Sequence, residues 1–135
     1  MATPRPDLSG LHILIVDDNE DARTILGTYL EHLGATVTLA RNGGEALAAV
    51  NDIRAHVIVS DISMPALDGI ELIRRIRTRE ADLGMQIRTP AIAFTGFANS
   101  ETEEAARRAG FDSFIAKPAD PLDIALRVAA LTRDL

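Results

Sequence analysis

The chain has 135 residues, 47% of them hydrophobic, which suits one globular domain with a single core. Its 14 Lys and Arg against 20 Asp and Glu give a net charge of −6, the wrong sign for a nucleic-acid binder, and the absence of cysteine excludes disulfides, thiolate nucleophiles and cysteine-ligated metals. No apolar run reaches the length of a membrane span and no signal-peptide stretch opens the chain, so a soluble, cytoplasmic domain with no nucleic-acid and no membrane partner is expected.

Residues 1–10, with Pro4, Pro6 and Gly10, read as a flexible leader ahead of a domain over 11–133. The first strand is the apolar run 11–16, broken only by His12. A helix over 20–33 follows, with Ala22, Ile25, Leu26, Tyr29, Leu30 and Leu33 at helical spacing and Gly34 as its C-terminal cap. The weaker second strand, 35–39, alternates Thr and apolar residues and leads to a helix over 44–51. Val57, Ile58 and Val59 make the third strand. The helix over 68–79 sets Ile70, Ile73 and Ile76 on one face and Arg74, Arg75, Arg77 and Arg79 on an exposed basic side, with Asp68 as its N-cap. A strand over 91–94, a helix over 100–109 ending at Gly110, a strand over 114–116 and a helix over 120–132 complete the chain. Short, near-continuous apolar strands need a parallel sheet covered on both faces. Five βα units with right-handed crossovers give an α/β fold built on a doubly wound, five-stranded parallel sheet.

In such sheets the functional crevice lies outside the carboxyl ends of the strands. Strand one ends in Asp17 and Asp18, strand three in Ser60 and Asp61, strand four in Thr95, and strand five in Lys117, the one lysine beside 13 arginines. Any one of these residues would pass as ordinary loop polarity. Their convergence on one sheet edge does not. Three crowded carboxylates repel unless a cation joins them. Oxygen-only ligands suit a hard divalent ion, Mg²⁺ before Ca²⁺. An EF-hand is excluded, because Asp17-Asp18-Asn19-Glu20-Asp21 lacks its alternating ligands. Lys117 supplies a compact positive charge and Thr95 a hydroxyl donor, so the set reads as a phosphoryl-transfer site centred on Asp61.

Five fragments then carry a resemblance: Ile15-Val16-Asp17-Asp18-Asn19, Ser60-Asp61-Ile62-Ser63-Met64-Pro65, Leu67-Asp68-Gly69, Phe94-Thr95-Gly96 and Ala116-Lys117-Pro118. In this order and at these spacings the chain resembles the receiver domain of two-component response regulators across 11–133. The resemblance implies a flavodoxin-like fold with strand order 2-1-3-4-5, an order taken from the family and not from the pattern. It implies that Asp61 accepts a phosphoryl group from a histidine kinase or histidine phosphotransfer protein. Asp18 is then the direct Mg²⁺ ligand, joined by Asp61, the Ser63 carbonyl and, through water, Asp17. Thr95 and Lys117 hold the phosphoryl oxygens, and Phe114 is the switch aromatic. Pro118 follows a peptide that is often cis in the family. Such a domain catalyses its own phosphorylation and slow autodephosphorylation, but acts mainly as a switch read by a downstream protein. The Thr-Gly-aromatic pairing at 95–97 and the Lys-Pro-Ala-Asp-Pro run at 117–121 are similar to receivers in hybrid histidine kinases.

Phe97 stands where many receivers carry a polar residue, and Ser63 is small and neutral, which bears on phosphoryl lifetime. A haloacid-dehalogenase-type phosphatase needs a second Asp where Ser63 stands. A nucleotide or flavin binder needs a glycine-rich first loop, where this chain has acids. A receiver used as an interaction module without phosphorylation is the remaining alternative. His12, His32 and His56 have no metal-site spacing and read as structural or solvated. No DNA-binding output segment is expected after Leu135. The helix over 100–109 offers only Ala105, Ala106 and Ala109 to a core, so it is expected to be the least anchored element.

Overall fold

The computed structural model describes residues 4–133. Five strands, β1 (His12–Val16), β2 (Thr36–Ala40), β3 (Val57–Ser60), β4 (Ala91–Thr95) and β5 (Ser113–Ala116), alternate with five helices. These are α1 (Glu20–His32), α2 (Gly43–Asp52), α3 (Gly69–Asp82), α4 (Ser100–Ala109) and α5 (Pro121–Thr132). The strands pair in parallel in the order β2-β1-β3-β4-β5, as the resemblance implied.

Side chains alternate across a pleated strand, and in the inner strands β1, β3 and β4 both faces are buried, which is why those three read as near-unbroken apolar runs. Leu14, Val16, Ile58, Ala91 and Ala93 enter a core shared with Ala46 of α2, Leu72, Ile73 and Ile76 of α3, and Ala106 and Ala109 of α4. Their neighbours Ile13, Ile15, Val57, Val59 and Ile92 enter a second core with Leu26 and Leu30 of α1 and Ile124, Ala125 and Val128 of α5. Every helix opens on an Asn or Asp cap: Asn19, Asn42, Asp68, Asn99 and Asp120 each accept a hydrogen bond from a backbone N–H of the first turn. Such a cap contributes about 1 kcal/mol. Gly34 and Gly110 follow α1 and α4 with φ of +102° and +130°, as expected of C-terminal stops.

Two expectations need correction. The stretch read as a flexible leader is docked at Leu8, which is 1% exposed in the α1/α5 core, and its N–H donates to the Leu33 carbonyl at 2.8 Å. Burial of one leucine outweighs the turn-forming residues around it; residues 1–3 lie outside the described residues. Leu8→Ala is expected to cost about 2–5 kcal/mol in urea unfolding, and a cost near zero would show that the segment only rests on the surface.

The basic side of α3 is not uniformly exposed either. The Arg77 side chain is only 14% exposed and donates to Glu80 at 2.7 Å, to the Thr89 carbonyl at 2.7 Å, to the Gly110 carbonyl at 2.8 Å and to Asp112 at 3.2 Å. Glu80 completes the link by accepting from the Thr89 N–H at 2.8 Å, which carries α3 past its expected end at 79 to Asp82.

Helix α4 touches the sheet through methyl groups, with Ala106 and Ala109 buried and the pairs Glu103–Arg107 (2.9 Å) and Glu104–Arg108 (2.8 Å) on its outer side. Each pair supports the helix by about 0.2–0.5 kcal/mol. Amides in the first turns of α4 are therefore expected to exchange with deuterium before those of α1, which buries Leu26 and Leu30. Equal protection of the two helices would contradict this.

Candidate functional site

The ladder hydrogen bonds run one residue past the strands, and this places the acids. Asp17 N–H donates to the Ala40 carbonyl at 3.1 Å, Asp61 N–H to Val16 at 2.9 Å and Lys117 N–H to Thr95 at 2.9 Å. Asp17, Asp61 and Lys117 thus continue the rows of Ile15, Val59 and Ile115. Their side chains meet at the carboxyl edge of the sheet.

The Lys117 ammonium sits between two carboxylates, 2.7 Å from Asp17 Oδ2 and 3.1 Å from Asp61 Oδ2. Partial burial pulls the lysine's pKa down, but the hydrogen bonds and charges of Asp17 and then Asp61 outweigh it. The net shift is upward, so the cation is held. The free oxygens are also engaged: Asp17 Oδ1 accepts from Asn19 N–H at 3.0 Å and Asp61 Oδ1 from Ser63 N–H at 3.2 Å. Asp17 is buried, Asp61 half-buried and Asp18 exposed. One carboxylate oxygen from each of the three lies within 4.8 Å of the others.

Three acidic side chains balanced by one ammonium leave a net negative cluster of hard oxygen donors, the donor set a small divalent cation takes. The residues present fit such an ion. Ser63 is beside Asp61 through its N–H; the use of its carbonyl toward a metal is an expectation taken from the resemblance.

Thr95 is buried at the end of β4, and its Oγ1 accepts from Phe97 N–H at 3.2 Å, which leaves the hydroxyl proton free to donate outward. Phe114 is half-buried against the α2/α3/α4 core. Phe97 is 63% exposed, beside Thr95 in sequence. The Lys117–Pro118 peptide is cis.

Two neighbours escaped the sequence reading. Arg23 is buried in α1 and its Nη1 donates to the Asp17 carbonyl at 2.8 Å, fixing the turn that presents the acids. The signal was there: position 23 shares the buried stripe of Leu26, Gly27 and Leu30, where an arginine needs a partner. Gly69 is the other. A methyl group at this position would overlap the Asp61 carbonyl oxygen, and its N–H donates to the Ile62 carbonyl at 2.8 Å, so α3 starts hard against the backbone of Asp61.

The family described as response regulator receiver domain matches residues 13–129. The chain belongs to that family. This receiver domain is 44% identical over 117 residues to an uncharacterized 14.6 kDa protein of Leptolyngbya boryana, covering 87% of this chain and 86% of that protein. It spans about half or less of several other curated relatives, among them a transcriptional regulatory protein of Bacillus subtilis (37% identity, 90% of this chain and 48% of that protein) and a virulence sensor protein of Bordetella bronchiseptica (38% identity, 87% and 10%). Among solved structures it is similar to the receiver domain of a Pseudomonas aeruginosa sensor histidine kinase with magnesium coordinated in its active-site cleft (30% identity, TM-score 0.81, 93% of this chain and 99% of that one). It is also similar to a chain of the Saccharomyces cerevisiae complex of the phosphotransfer protein Ypd1 with the Ssk1 receiver domain (27% identity, TM-score 0.86, 97% and 92% covered). Both family and fold are those the five motifs implied. Among the described residues no helix of this receiver domain is long and apolar enough to cross a membrane.

Proposed function

We propose that this receiver domain accepts a phosphoryl group on Asp61 from the phosphohistidine of a histidine kinase or phosphotransfer protein, and that a protein partner reads the result. The observation that carries the reading is the Lys117 ammonium held between Asp17 and Asp61 at the middle of the sheet edge. An Asp61 carboxylate oxygen attacks phosphorus in line; the new O–P bond forms as the P–N bond to the donor imidazole breaks, and the imidazole leaves with the electron pair. Lys117 is already within reach of the oxygens that arrive, and the Thr95 hydroxyl donates to another. Asp17, Asp18 and Asp61, with the Ser63 carbonyl, would hold Mg²⁺, which supplies charge neutralisation for the incoming phosphoryl. Little covalent chemistry is left to the protein.

Docking of a donor protein is supported by apolar side chains exposed on the segments that follow the acids and Thr95. Ile25, on the helix that begins two residues after Asp18, is 62% exposed, and Phe97 follows Thr95 by two residues. Both offer a partner apolar contact around a charged centre.

Incubation with phosphoramidate and Mg²⁺ tests the reading: the mass should rise by one phosphoryl group, and excess chelator should prevent it. Labelling that proceeds fully in chelator would refute the metal-dependent reaction. Asp18→Ala is expected to weaken Mg²⁺ binding about ten- to a hundredfold, roughly 1.4–3 kcal/mol, measured by titration without a phosphodonor. Equal affinities would remove Asp18 from the ligand set.

A further inference from the structure

A lysine used as a phosphoryl clamp has a problem of its own making. Its four-carbon stem carries about 2 kcal/mol of rotamer freedom, and the ammonium must nevertheless stay where the oxygens arrive. The two carboxylates that hold Lys117 before transfer cannot hold it by themselves afterwards, because the phosphoryl oxygens compete for the same ammonium. Asp61 becomes the acyl phosphate, so only Asp17 and any contact that does not change with transfer still define its position.

Phe94 is placed to do so. It is the partner of Ile115 in the β4–β5 register, two residues before the lysine, and its ring packs on the α1/α5 core. The Lys117 ammonium lies over that ring, 5.1 Å from its centroid. The cation therefore has Asp17 and Asp61 within hydrogen-bond distance and an aromatic face as a third contact. The face of a phenyl ring carries the negative part of its quadrupole, so it attracts an ammonium without offering a hydrogen bond that would divert it.

The geometry points to Phe94 as a positioning residue, which holds the Lys117 ammonium in register with Asp61 through its π face and so favours phosphoryl transfer. This deepens the function proposed above. A second readout, made on the unphosphorylated protein, separates failure of the one from failure of the other.

The experiment compares the wild type with Phe94→Tyr, Phe94→Leu and a series in which Phe94 is replaced by mono-, di- and trifluorinated phenylalanine. The fluorinated rings keep nearly the same shape and weaken the face stepwise. In the unphosphorylated protein the Lys117 ε-methylene protons should be shifted upfield by the ring current in the wild type and Phe94→Tyr, and not in Phe94→Leu. With phosphoramidate at saturating Mg²⁺, the maximal labelling rate should fall about two- to thirtyfold in Phe94→Leu and stay near wild type in Phe94→Tyr. It should fall progressively with fluorination while the Mg²⁺ affinity holds. A merely space-filling ring would give equal rates across the fluorinated series, which overturns the proposal. So does the absence of an upfield shift in the wild type. If the wild type is not labelled at all, the proposed phosphoacceptor function fails; a ring-current shift that remains would still place the ammonium on the ring.

Discussion

Asp61→Asn is expected to abolish labelling by a small phosphodonor. The amide nearly reproduces the carboxylate in size, and its one oxygen keeps either the Ser63 N–H or the Lys117 ammonium, so the fold survives. What it loses is the nucleophile, and neither Asp17 nor Asp18 replaces it. Asp17 is buried, less open to a donor than the half-buried Asp61, with its carbonyl held by Arg23, and Asp18 is exposed and makes no ion pair with Lys117. The same change removes one of three crowded negative charges that share a single ammonium, so the thermal midpoint of the metal-free protein should rise. Mass spectrometry after proteolysis checks the first outcome and calorimetry the second. Label appearing on another residue of Asp61→Asn would displace Asp61 as the acceptor.

Arg77→Ala is expected to be the most destabilising single change on the side of the molecule away from the acids, at about 3–5 kcal/mol. The alanine would leave Glu80, whose side chain is 6% exposed, with a negative charge and no cation. It would also release the carbonyls of Thr89 and Gly110 from their charged donor, while Arg88 remains as the partner of Asp112. Removing both ends of the buried pair, as Arg77→Met with Glu80→Leu, should recover much of the loss, because an apolar pair of similar size needs no compensation. Urea unfolding of the three proteins decides the matter. An equal loss in the single and double variants would show that the carbonyl contacts, and not the stranded Glu80, dominate.

These outcomes also mark what could be read from residues alone. The strands were legible because burial on both faces leaves unbroken runs such as Ile13-Leu14-Ile15-Val16, and α1 and α4 because their C-terminal glycines stand where a positive φ is needed. The site was legible because its members fall at strand ends, where polarity is informative. Arg77 was misread because helical periodicity assigns arginine to solvent, and its partner Asp112 is 35 residues away. No local pattern reports such a pairing. Leu8 was missed for a similar reason: a single leucine among turn formers has no periodicity, and only the tertiary packing with α1 and α5 gives it a place. The aromatic contact of Lys117 depends on strand order, because β4 and β5 become neighbours through a crossover and not through a hairpin.

The pleat of the sheet has a last consequence. Asp17, Asp61 and Lys117 continue the rows that look toward α1 and α5, while Thr95 continues the row of Ala93 toward α3 and α4, where Phe114 also packs. One layer of helices therefore underlies the charges and the opposite layer underlies the residues proposed to respond to them. The sheet acts as a partition between chemistry and message. The outer face of α4 can therefore change in sequence without disturbing Asp17, Asp61 and Lys117 on the far side.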